Sequence, residues 1–107
     1  MTPQLGWRHR IRVEPEATVV VLDGEIDVNG AAALLNLLGA TIDSADRVHV
    51  DLHAVDFIDS TAISALITAR HTAIGAGKHF GVVNSTGNVA RTLRITGVLD
   101  VLSPPRA

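Results

Sequence analysis

The residues best able to do chemistry lie between Asp51 and Leu66, in the run DLHAVDFIDSTAISAL. Within it, Asp59, Ser60 and Thr61 are three consecutive hydrogen-bonding side chains, set between the apolar pair Phe57-Ile58 and a following apolar stripe. A helix is expected to begin there. Its first turn would carry unpaired backbone N–H groups and a positive partial charge, so Asp59 can cap it and the fold would tolerate an anion on Ser60. Phe57 and Ile58 are expected as buried anchors of the preceding loop, which leaves Ser60 facing solvent. A phosphate there would add a charge of about −1.5 to −2 near pH 7, beside Asp59 and Asp56. From these three residues alone, a plain helix cap is the favoured explanation.

Other constellations fall away on spacing. Histidines stand at 9, 49, 53, 71 and 79, and no two share a helical face at metal-ligand spacing. Ser60, His53 and Asp59 have the residue types of a hydrolase triad, but the Gly-x-Ser-x-Gly elbow is absent and all three crowd into one short segment. Gly75 and Gly77 follow a helical pattern instead of opening one, so they read as a stop and not a phosphate loop. Arg91 and Arg94 read as a solvated helix face. The chain is expected not to be an enzyme and to need no cofactor or metal.

Composition narrows the partners. The net charge is −2, the basic residues look scattered, and the aromatics are Trp7, Phe57 and Phe80, so no stacking or phosphate-neutralising surface for nucleic acid is expected. With no cysteine, disulfides and thiolate sites are excluded. The amino-terminal MTPQLGWRHRIRVE lacks a signal-peptide core, and no apolar run approaches the ~20 residues of a membrane span. A cytoplasmic protein without membrane contact is expected.

The elements that must position Ser60 follow from periodicity. Ile11–Val13 and Thr18–Leu22 are β-branched runs around Glu14-Pro15-Glu16-Ala17 and predict an antiparallel hairpin. After Asp23-Gly24-Glu25-Ile26-Asp27, the residues Ala31, Leu34, Leu35, Leu38 and Ile42 share one helical face, with Asp27 or Asn29 as cap. Arg47–Leu52 alternates as a strand, with Val48, Val50 and Leu52 on one side and Arg47, His49 and Asp51 on the other. Ile63, Leu66, Ile67 and Ile74 predict a second helix. His79–Val83 predicts a strand, and Asn84–Gly87 caps for a short helix carrying Val89, Ala90 and Leu93. Val101 and Leu102 predict a last edge strand before a mobile tail from Ser103. The fold class is α/β: a mixed, mainly parallel sheet with an antiparallel N-terminal hairpin, covered by helices on one face. One domain is expected over 1–107, with its ordered core at about 8–102.

Two separated motifs, Asp23-Gly24-Glu25-Ile26-Asp27 and Phe57-Ile58-Asp59-Ser60-Thr61, occur in this element order. Together they make nearly the whole chain resemble the STAS domain of anti-sigma-factor antagonists. That resemblance implies phosphorylation of Ser60 by a serine kinase that doubles as anti-sigma factor. The unphosphorylated protein would bind the kinase and free a sigma factor, and a PP2C-type phosphatase would restore the serine. It also implies a partner-binding surface at Asp27, Asp59, Ser60, Thr61 and Ala62. One departure stands out: Ala62 and Ser64 replace glycines usual in the family, and the methyl of Ala62 is expected to narrow the approach to Ser60. Two alternatives stay open: a non-phosphorylated STAS scaffold subunit of a larger regulatory assembly, which Ala62 favours, and an enzyme acting on a nucleotide or phosphoester, for which only the clustered carboxylates speak. A second copy of the chain is a further candidate partner.

Overall fold

A computed structural model describes residues 6–104. The elements follow one another as β1 (Trp7–Val13), β2 (Thr18–Ile26), α1 (Val28–Ser44), β3 (Arg47–Ile58), α2 (Ser60–Gly75), β4 (His79–Val83), α3 (Gly87–Ile95) and α4 (Leu99–Leu102). Residues 15 and 16 turn the chain tightly, the Glu14 N–H reaching the Ala17 carbonyl at 2.9 Å, so β1 and β2 pair antiparallel. Parallel neighbours need a crossover, and α1 and α2 supply it for β2–β3 and β3–β4. The sheet order is β1-β2-β3-β4, the mixed α/β sheet that the periodicity predicts.

Alternation decides what each face meets. Val20, Leu22, Val48, Val50, Leu52, Phe80 and Val82 join Leu34, Leu38 and Ile42 of α1 and Ile63 and Leu66 of α2 in one core cluster. Each fully buried aliphatic side chain contributes roughly 1.5–3 kcal/mol against exposure. The opposite face carries Val19, Val21, His49 and Asp51, and at its β4 margin Pro104 lies over Gly81, where a Cβ would come within 2.5 Å of the proline ring. Trp7 is buried on the helix side, its indole pressed against Gly30 in the first turn of α1.

Several expectations are corrected. Val101 and Leu102 form no edge strand but belong to α4, closed by Leu102 N–H to Val98 O and Ser103 N–H to Leu99 O, both 2.9 Å. Gly97, at φ +78°, turns the chain so that Leu102 drops into the core, which a strand beyond β4 would not allow. Phe57 is no buried anchor: β3 runs on to Ile58, and alternation sends Ile58 inward while Phe57 stays 45% exposed. Ile74 is likewise exposed, because the buried face of α2 continues from Ile63 and Leu66 through Ala69 and Ala73. The hairpin is longer than predicted, and Arg8, Arg10 and Arg12 alternate along β1 onto one face instead of being scattered. Of the tail expected to be mobile, Ser103 is exposed but its hydroxyl donates to the Leu99 carbonyl at 2.7 Å, and Pro104 packs over Gly81, whereas 105–107, like 1–5, lie outside the described residues.

Candidate functional site

Strands β2 and β3 end side by side, Ile26 opposite Ile58, and each is followed by one aspartate and then a helix. Asp27, in extended conformation, caps α1 by accepting the Asn29 N–H at 3.0 Å. Asp59 caps α2 more fully: one carboxylate oxygen accepts the N–H groups of Thr61 and Ala62, each at 3.0 Å, together with the Thr61 hydroxyl. Its own N–H donates to the Ile26 carbonyl at 3.2 Å, which ties the start of α2 to the end of β2. The Thr61 hydroxyl above all, then the Ala62 N–H, holds the Asp59 carboxyl below the usual carboxylate range, so it is an anion at neutral pH.

Ser60 is the first residue of α2 and is exposed. Thr61 is half-buried, its hydroxyl taken by Asp59. Ala62 is fully buried, so its methyl points into the core and not across Ser60. The expected narrowing of the approach to the serine does not arise: an inward Cβ adds volume to the core, not to the surface. Val28, which follows Asp27, and Phe57, two residues before Asp59, are exposed apolar side chains. The site thus combines a free serine, two capping carboxylates and two exposed apolar groups. Open cavities of about 480, 300 and 400 Å³ lie elsewhere and none is lined by Ser60. Such a surface suits a docked protein better than an enclosed small molecule.

Ser64 is exposed one turn along α2. His53 does not join Ser60 and Asp59 in a triad. Its Nδ1 is held by Asp51 at 2.8 Å, and its backbone N–H donates to the same carboxylate oxygen at 2.9 Å. Asn84, in left-handed conformation at φ +59°, donates from Nδ2 to the other oxygen at 3.1 Å. Burial pushes the Asp51 carboxyl up, but these bonds from His53 and Asn84 more than offset it and leave it below its ordinary value. The pairing of β2 with β3 slips a residue at this point, and Asp51 satisfies the N–H that the slip frees. Strand alternation placed Asp51 on the polar side; the Asp51-x-His53 spacing was the only further signal of its role. Asn84 was expected among helix-capping residues, but α3 starts at Gly87 after Thr86, with no side-chain cap bond. Among the described residues no group of three or more His, Cys, Asp or Glu could hold a metal ion, and no helix is long and apolar enough to cross a membrane.

Residues 9–103 match a family model described as Mlab, STAS domain. The chain belongs to the STAS domain family. Among solved structures, an anti-sigma factor antagonist from Mycobacterium paratuberculosis is 28% identical, with a TM-score of 0.79 over 94% of this chain and 86% of that one. The anti-sigma factor antagonist SpoIIAA in its unphosphorylated form is 14% identical, with a TM-score of 0.75 over 94% and 89%. The Bacillus cell fate determinant SpoIIAA in the phosphorylated form is also 14% identical, at 0.69 over 94% and 92%. These last two show a shared fold. No curated protein matches the chain.

Proposed function

We propose that this STAS domain is an anti-sigma-factor antagonist of the cytoplasm whose partner binding is switched by phosphorylation of Ser60. The observation that supports this most is the exposed hydroxyl at the first position of α2, directly after a carboxylate that already holds the helix start. The fold asks nothing of the serine, so a kinase can modify it without unfolding α2. In the unphosphorylated state an anti-sigma serine kinase docks over Asp27, Val28, Phe57, Asp59, Ser60 and Thr61, and the sigma factor it held is released. The kinase then moves the γ-phosphoryl group of ATP to Ser60 Oγ, with ADP leaving and the hydroxyl proton lost. The added charge of about −1.5 to −2 stands beside Asp59, and like charge together with desolvation drives the kinase off. Taking a complex from 99:1 to 1:99 needs about 5.5 kcal/mol, which one phosphate at an interface can supply. A PP2C-type phosphatase returns the serine.

Incubation with the cognate anti-sigma kinase and ATP, followed by intact mass, tests the reading. One added phosphate is expected, absent from Ser60→Ala, and the phosphorylated protein should no longer co-elute with the kinase. A complex that forms but never transfers phosphate would instead identify a STAS scaffold subunit.

A further inference from the structure

Strand β1 ends the sheet among the described residues and pairs there with β2 alone. Its outer side offers a row of backbone N–H and C=O groups, the usual template for one more strand. The side chains along this edge are sorted by alternation. Arg8, Arg10 and Arg12 stand on the face of the sheet away from α1, opposite Asp23, Val21 and Val19 of β2. Ile11 and Val13 stand on the helix side, 46% and 81% exposed. With Leu37, Ala40 and Thr41 of α1 they line an open groove of about 400 Å³ beside the edge. Two of the three arginines are engaged, but only in exposed ion pairs of the kind that contribute little. Arg8 meets Asp23 at 3.4 Å and Arg12 meets Glu14, both exposed pairs, and Arg10 has no ion pair among the described residues.

A second copy of the chain does not suit this edge. In any antiparallel β1–β1 register that keeps the apolar sides together, arginines face arginines. A shift by one residue sets the charged side against the apolar side. The complement is a strand of opposite charge. We propose that the outer edge of β1 receives an extended segment of a partner protein in which carboxylates alternate with apolar side chains, extending the sheet by one strand. Its backbone completes the β1 hydrogen bonds, its carboxylates lie among Arg8, Arg10 and Arg12, and its apolar side chains enter the groove against Ile11, Val13 and Leu37. This surface is separate from Ser60, so occupancy is not switched by phosphorylation there.

The test uses the full chain with a short synthetic peptide alternating Glu and Val, and follows backbone amide shifts and hydrogen exchange. Expected are saturable shifts centred on β1, slowed exchange of its outward amides, and affinity that falls at least about tenfold on raising salt from 0.05 to about 0.3 M. Arg10→Glu should abolish binding while the thermal melt stays unchanged. A Lys/Val peptide should not bind, and neither should a Glu/Val peptide N-methylated at alternate residues, which cannot pair with an edge. The proposal is overturned if the N-methylated peptide binds equally well, if the shifts map to α2, or if the protein alone forms a dimer that Arg10→Glu disperses. It is equally overturned if single-stranded oligonucleotide shifts the β1 amides and the acidic peptide does not.

Discussion

Three strands of this sheet run into helices at the same end of the molecule, and the three junctions are built differently. At β2–α1 and β3–α2 a single aspartate in extended conformation turns the chain and caps the helix. At β4–α3 the chain passes through Asn84, at positive φ, and reaches Gly87 after Thr86, which makes no capping bond. The side chain that could have capped there, Asn84, is used across the sheet on Asp51. Only the β3–α2 junction pairs a saturated cap with an exposed serine. Where the cap belongs to another residue, a hydroxyl at the first helical position is left over for chemistry. Where no cap is made, α3 still buries Val89 and Leu93 in the core.

Variants can break this ranking. The largest effect belongs to the α1 junction's packing: a Cβ on Gly30 would stand 2.2 Å from Trp7 Nε1, a rigid ring with nowhere to go. Gly30→Ala should cost about 2–3 kcal/mol in denaturant unfolding. Asp59→Ala removes a cap with three donors and should cost about 2 kcal/mol, against about 1 for Asp27→Ala. Equal losses at the two sites would erase the distinction between the junctions.

Acid sharpens the same comparison. Asp59 and Asp51 titrate below 3.8 in the folded protein, so between their folded values and that ordinary value the unfolded chain binds more protons. Their contribution is therefore complete above the ordinary value and is lost as pH falls through the folded ones. Unfolding free energy should drop steeply below about pH 4 in the parent and less steeply in Asp59→Asn. The smallest effects are expected at Thr86→Ala and Ser60→Asp, each within about 0.5 kcal/mol, the latter because an acid at a helix start is favourable. A collapsed melt in Ser60→Asp would mean that the α2 junction has no room for an anion.

Much of the site could be read from residue order. Local rules cover Asp27 and Asp59 as caps, the hairpin, and the helix and strand order through α3, because capping and hydrophobic period depend on neighbours a few positions apart. Position within an element was less legible. Phe57 and Ile58 look equivalent as letters, and only continuation of β3 to its pairing with Glu25 and Ile26 sends one out and the other in. Ala62 read as an obstacle to Ser60, yet rotation of α2 against the core points its methyl away.

What the sequence determines alone, then, is the succession of elements as far as α3, the α/β class and the aspartate-serine helix start, all consequences of short-range chemistry. Tertiary structure decided the rest: that Asp51 is buried and shared by His53 and Asn84, that Trp7 seals the first turn of α1, that Leu102 enters the core from a helix, and that three arginines share one face of β1. Those outcomes depend on strand register and on which element covers which face. Both are set by contacts between residues far apart in the chain, where burial of the whole outweighs local preference.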